Sequence, residues 1–209
     1  MKNSLKNIFG NIDIYLFDQL LKGTFDHCEK ILDAGCGYGK NLPYFLQNGF
    51  QTYGIDSDMQ AIESVIEMAQ YLNSNLNREN FKVAQVEQLP FKDAMFDVVI
   101  SSAVLHFAKN KHHFEEMLLS MWRVLKPDGF LFVRLASNIG IENKIIEIDS
   151  GRYLLPDGSE RYLVSEQEII NYTNKLHGVL WEPIKTTNVK NLRCMTTWCL
   201  QKSKNTFNY

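Results

Sequence analysis

Three glycines at alternate positions, Gly35, Gly37 and Gly39, follow directly on the short apolar run of Ile31 and Leu32 and its terminal Asp33, in the stretch ILDAGCGYGKN. Glycines there permit positive φ and let a ligand approach the backbone with no Cβ in the way. A helix is predicted from Asn41 to Gln47, with Pro43 in its first turn and Gly49 beyond its end. A strand leading through a glycine loop into a helix is the opening of a β-α-β unit, and it commits the next strand to a crossover connection.

The rest of the chain keeps that alternation. Thr52 to Ile55 reads as a second strand. Ile62, Val65, Ile66 and Ala69 then repeat at helical spacing, with Asp58 as N-cap. Phe81 to Val86 alternates like a strand, and Phe96 to Ile100 is a continuous β-rich run suited to a central parallel strand. Phe114, Met117, Leu118, Met121 and Leu125 mark a helix face that Pro127, Asp128 and Gly129 should stop, before a strand from Phe130 to Leu135. Ser165 and Glu168 form a capping-box pattern ahead of Ile169, Thr173 and Leu176. Two extended stretches, 179–188 and 192–201, close the chain around a turn at Asn188–Asn191 as an antiparallel pair.

Strands alternating with helices imply a mostly parallel sheet covered on both faces. Ligands of such sheets bind beyond the carboxyl ends of the strands, so functional residues are expected just after Leu32, Ile55, Val86, Ile100 and Leu135. Length, at 209 residues, suits a single domain. Its expected parts are an N-terminal cap helix (1–29), a ligand-binding core (30–136), a lid insertion (137–163), and a C-terminal helix and hairpin (164–209).

Composition narrows the partners. Lys and Arg number 22 against 24 Asp and Glu, a formal charge of -2, so no basic surplus points to nucleic acid. No apolar run approaches the ~20 residues of a membrane span, and the N-terminus has no signal-peptide run. A cytoplasmic protein is expected. The four cysteines, at 28, 36, 194 and 199, form no CxxC pair and lack the spacing of a zinc site. Reduced structural thiols are expected, and no metal.

Asp56 ends the second strand, where a carboxylate can accept hydrogen bonds from both hydroxyls of a ribose. A dinucleotide fingerprint needs a third glycine at position 40, which is Lys40, and no GxxxxGK[ST] phosphate loop is present. A nucleoside ligand without an essential phosphate remains, with Asp33 available for a cationic group.

With these features in place, the chain resembles the class I S-adenosylmethionine-dependent methyltransferases. LDAGCGYGK is similar to their first motif, YGIDSD to the ribose-binding acid, VEQLPFKDAMFDVVISSAVLHF to the adenine segment and fourth strand of the small-molecule (type 11) branch, and LKPDGFLFV to the fifth strand. The four segments occur in the family's order over about residues 28–136. More loosely, IDIYLFDQLLKG and GKN are similar to tellurite-resistance-type members.

The resemblance implies a Rossmann-like, doubly wound, seven-stranded mostly parallel α/β sheet with an antiparallel C-terminal hairpin. It also implies methyl transfer from S-adenosylmethionine to a small-molecule acceptor, releasing S-adenosylhomocysteine. By the same resemblance Asp33, Gly35 and Gly37 hold the methionine portion, Asp56 the ribose, and Ser57 borders the adenine. Val86 offers its backbone N–H to the adenine, Glu87 lies next to it, and Ser101 closes the methionine side. Gln85 departs from the Asp common in relatives.

His106, in VLHF, either takes a proton from the acceptor as a general base or is a loop histidine held by backbone hydrogen bonds. Arg134 either meets an anionic acceptor or pairs with a neighbouring acid. Two other functions stay open on sequence: a nucleoside-binding module without catalysis, and an NAD-dependent oxidoreductase, which Lys40 disfavours.

Overall fold

The computed structural model describes residues 5–204; positions 1–4 of the expected cap helix lie outside them. Strands β1 (Lys30–Ala34), β2 (Gln51–Asp56), β3 (Phe81–Val83), β4 (Phe96–Ser102) and β5 (Leu125–Ser137) pair in parallel. Strands β6 (Ile146–Asp149), β7 (Arg152–Leu154) and β8 (Glu160–Tyr162) form a separate antiparallel meander. β9 (Gly178–Leu180), β10 (Lys185–Val189) and β11 (Arg193–Lys202) complete the main sheet, whose order is β10-β11-β5-β4-β1-β2-β3. The chain leaves β1 toward β2 and β3, then returns to β4 on the other side, so the topological switch point lies between β1 and β4.

Alternation of side chains along the strands divides the core. Ile31, Val98, Ile100 and Phe132 face one way and meet Leu16 and Phe45, from α2 (Ile14–Leu21) and α3 (Pro43–Gln47). Leu32, Val99, Leu131 and Val133 face the other way, toward Phe114, Met117 and Met121 of α5 (Lys111–Val124) and Ile169 and Tyr172 of α6 (Glu166–Lys175). In α4 (Met59–Leu72) Ile62, Val65 and Ala69 pack with Leu42, Leu46 and Phe81. The predicted capping box is formed: Ser165 Oγ accepts from Glu168 N, and Glu168 Oε2 accepts from Ser165 N.

Four expectations need correction. The third strand stops at Val83, because Ala84 makes the last bond to Asp56 and residues 86–88 then tighten into a 3-10 turn. Pro127–Gly129 do not separate α5 from the fifth strand. β5 begins at Leu125, opposite Phe96, and these three residues bulge before Phe130 pairs with Val98, with Asp128 at φ +62°. The first closing stretch is broken near Pro183, so β9 and β10 share one edge position against the two ends of β11; the sheet is thus seven positions wide. Finally, the N-terminal segment is two helices: α1 (Leu5–Phe9) ends at Gly10 (φ +62°), and Asp13 caps α2.

Asp13 has further duties. It is buried, and its carboxylate accepts from Tyr15 N, from Ser102 Oγ at 3.2 Å and from Arg134 Nη1 at 3.0 Å, while its own N–H donates to Asn41 Oδ1 at 3.0 Å. Arg134 therefore pairs with a neighbouring acid. The start of α2 is tied to the carboxyl ends of β4 and β5, while Leu16 carries its apolar face onto the sheet.

Candidate active site

A cavity of about 670 Å³ opens at the carboxyl ends of β1, β2 and β4, within the roughly 300–1,000 Å³ range of small-molecule sites. One wall is the glycine loop. The N–H groups of Gly35 and Cys36 both donate to Ile55 O, which fixes the loop to β2. Gly35, at φ +82°, lies so close to Val104 that a Cβ would come within 2.5 Å of its Cγ2. Gly37, at φ +50°, is the opposite case: a Cβ there would meet no protein atom within 4 Å. It would project into open space where a ligand could approach the backbone.

Asp56 follows at the end of β2. Its Oδ2 accepts from Gly37 N at 2.8 Å and its Oδ1 from Asp58 N at 3.0 Å, so this carboxylate braces the glycine loop as well as facing the cavity. Ser57 adjoins it. Ala84, Gln85 and Val86 form the far side, and Val104, Phe107 and Met117 complete an apolar wall. Lys40, Lys109 and His113 supply the nearby cationic and titratable groups.

Behind the loop lies Asp33, wholly buried, with neither carboxylate oxygen hydrogen-bonded. Burial pushes its carboxyl up to about 7, opposed by the nearby Asn41 amide and Lys40. Ser101 Oγ is likewise buried without a partner. A buried acid left unpartnered costs free energy unless something cationic meets it, so both groups are suited to a polar, positively charged ligand.

A second, smaller cavity of about 230 Å³ adjoins the first, and Ala103 lines both. Ala103 sits just past β4 at φ +66°, unusual for a residue with a Cβ. Its N–H donates to Arg134 O at 2.7 Å. His106, Arg161 and Arg193 point into the second cavity. The Nδ1 of His106 accepts from Ala136 N at 3.1 Å. Its single neutral-state lone pair is thus engaged and its hydrogen lies on Nε2. Burial, then Arg161 and Arg193, push its pKa down to about 4. His106 is a neutral donor, which removes the general-base reading.

Comparison with known proteins agrees with this geometry. The family model described as "Methyltransferase domain" matches residues 32–133. An uncharacterized methyltransferase of Schizosaccharomyces pombe is 29% identical over 134 residues, 64% of this chain and 83% of that protein. Among solved structures, an S-adenosylmethionine-dependent methyltransferase of Methanosarcina mazei superposes with a TM-score of 0.67 at 20% identity, covering 89% of this chain and 98% of that one. The 1,6-didemethyltoxoflavin N1-methyltransferase of Burkholderia thailandensis, solved with 1,6-didemethyltoxoflavin and S-adenosylhomocysteine bound, gives 0.65 at 17% identity over 92% and 82% of the two chains. Residues 32–133 form a methyltransferase domain, in the fold of S-adenosylmethionine-dependent methyltransferases.

S-adenosylmethionine is therefore the methyl donor of this methyltransferase, and the oxidoreductase and non-catalytic readings fall away. Of the residues singled out from sequence, Gly35, Gly37, Asp56, Ser57 and Val86 come together around the larger cavity. Asp33 and Ser101 are buried and do not line it. Glu87 does not line it, but its Oε1 lies 3.2 Å from Nε2 of His113, which does. His106 belongs to the second cavity.

Sequence reasoning missed Ser102, whose side chain alternates with that of Ser101 and reaches the cavity. It also missed His113, which lies in the first turn of α5 and lines the cavity. The signal for His113 was its place in the first turn of the helix after β4. Asp97 braces the opposite end of the sheet, accepting from Glu29 N and Lys30 N and pairing with Lys126 at 2.6 Å. Among the described residues no group of three or more His, Cys, Asp or Glu could hold a metal, and no helix is long and apolar enough to cross a membrane.

Proposed function

We propose that this methyltransferase acts on a small-molecule acceptor in the cytoplasm, as one domain in which residues 137–163 close the acceptor side. The observation that carries this is the second cavity. It touches the larger cavity only at Ala103, its volume is about 230 Å³, and Leu155, Asp157, Ser159 and Arg161 from the inserted segment form much of its wall. A space of that size fits a compact metabolite and not a polymer. Four free thiols suit a reducing compartment.

In this reading Asp56 and Ser57 hold the ribose, and Gln85 and Val86 with Val104, Phe107 and Met117 hold the adenine. Gly35 and Gly37 carry the methionine portion past the loop, with Asp33 and Ser101 behind it as the buried polar groups that the bound cation satisfies. When bound, S-adenosylmethionine supplies an activated methyl carbon, and the electron pair of the broken S–C bond leaves with the sulfur. The chain's own task is to orient the acceptor and exclude water. With His106 engaged by Ala136 N, no side chain of the second cavity is set to remove a proton except Asp157. An acceptor that is nucleophilic without deprotonation fits best. The likeness to tellurite-resistance enzymes rests on the N-terminal segment and the Lys40–Asn41 pair, so the acceptor is not restricted to a chalcogen.

The test is incubation with methyl-labelled S-adenosylmethionine and fractionated cell extract. Label is expected in the low-mass fraction. Label recovered only in protein or RNA would overturn the small-molecule assignment.

A further inference from the structure

We propose that the second cavity is a carboxylate-binding subsite that anchors an acidic acceptor through Arg161 and Arg193; this rests on the small-molecule reading above. Three elements distant in sequence converge there: the turn after β4 brings His106, β8 brings Arg161 and the start of β11 brings Arg193. Neither guanidinium is held by a carboxylate in the forked, two-bond arrangement that arginine favours. Arg161 lies over the Phe107 ring, 4.9 Å from its centroid, and donates from Nη1 to the Glu160 backbone carbonyl. Arg193 has Asp157 Oδ2 at 3.6 Å, an ion-pair distance without a hydrogen bond. The Nε2–H of buried His106 adds a neutral donor to the same space.

Charge selects the kind of anion. Two guanidiniums against the Asp157 carboxylate leave one surplus positive charge in the cavity, which matches a monoanionic carboxylate and not a dianionic phosphate. Apart from Ser159, whose hydroxyl donates to Asp157, the remaining walls, Leu155, Met195, Ala136 and Ala103, are apolar and suit a short hydrocarbon body. A carboxylate engaged by both arginines has its lone pairs occupied, so it is the anchor. The atom that receives the methyl group lies at the other end of the molecule, past Ala103.

The test uses the full chain loaded with S-adenosylhomocysteine, with acetate and benzoate as probes and benzamide as the neutral analogue, followed by calorimetry or ligand-observed NMR. Benzoate is expected to bind and benzamide to bind at least tenfold more weakly. Arg161→Gln and Arg193→Gln should each lower benzoate affinity by about tenfold or more, the loss of one charged hydrogen-bonding partner. Arg161→Lys should recover part of it. Arg152→Gln, on the neighbouring strand and outside the cavity, should change nothing. S-adenosylhomocysteine affinity and the melting midpoint, expected to stay unchanged in all four variants, show that the fold and the cofactor site are intact.

Equal binding of benzoate and benzamide, no binding of either carboxylate at millimolar concentration, or indifference to both arginine substitutions would overturn the subsite. Phenyl phosphate binding more tightly than benzoate would overturn the monoanion assignment. If the wild-type chain fails to bind S-adenosylhomocysteine, it is the methyltransferase reading that fails.

Discussion

Replacing Asp33 by Asn should make the ligand-free protein more stable and the ligand-bound one weaker. The carboxyl is fully buried, has no hydrogen-bond partner, and titrates near 7, whereas in the unfolded chain it titrates near 3.9. A folded-state pKa raised in this way leaves its contribution intact below about pH 4. Stability is lost as pH rises from there through 7, because ionising the carboxyl costs more in the folded state than in the unfolded one. By pH 8 the burden is about three units, on the order of 4 kcal/mol, and Asp33→Asn should recover much of it.

Binding reverses the sign. A ligand cation near this carboxylate favours ionisation, so at pH 6, where about nine-tenths of the ligand-free molecules carry the proton, S-adenosylhomocysteine should displace most of one proton. At pH 8 it should displace about a tenth. Calorimetry in buffers of differing ionisation enthalpy reads this number from the slope of apparent enthalpy against buffer enthalpy. Asp33→Asn should abolish the release and lower affinity. A release independent of pH between 6 and 8, or one that persists in Asp33→Asn, would refute the assignment of the cation to Asp33.

Asp56→Ala removes the acceptor of Gly37 N–H and Asp58 N–H as well as the proposed ribose contact; S-adenosylhomocysteine affinity should fall by about a hundredfold while circular dichroism is preserved. Gly37→Val should abolish binding although no protein atom lies within 4 Å of the new Cβ, and calorimetry beside a melting curve that drops by only about 1–3 kcal/mol in stability would separate the two effects. Arg134→Ala leaves the buried Asp13 carboxylate without its cation and should cost about 3–5 kcal/mol in denaturant unfolding, with or without cofactor.

Local chemistry was legible in the sequence where one segment determines it. The glycine loop, Asp56, the Asp58 cap and the Ser165–Glu168 box each depend on residues a few positions apart, and each is where the pattern put it. What escaped depends on distant partners. Pro127–Gly129 looked like a stop, but with Phe96 opposite Leu125 the same residues become a bulge inside a strand. Residues 8–22 carry enough apolar side chains for one helix, yet Asp13 is drawn out of it by Arg134 and Ser102. The state of His106 was undecidable from VLHF, because the N–H that claims its lone pair belongs to Ala136, thirty positions on. For the same reason the pairing of Arg161 with Arg193 in the second cavity was not legible, since thirty-two positions and two strands separate them.

Among the described residues the backbone of the meander β6-β7-β8 pairs with the main sheet at a single place, while Tyr162 stacks on Phe114 and Leu155 and Leu163 pack against Ala136. Ser137 and Val164 form a bridge there, and Asn138 N donates to Val164 O at 3.1 Å. The two feet of the insertion therefore stand side by side, and the chain between them can change in length at little loop-closure cost, provided that side chains like Tyr162, Leu155 and Leu163 still cover the core. The glycine loop, Asp56 and the strand ends lie outside it. A transplant of residues 138–163 between enzymes of this architecture would carry a new acceptor preference with it, and leave the handling of the methyl donor to the host.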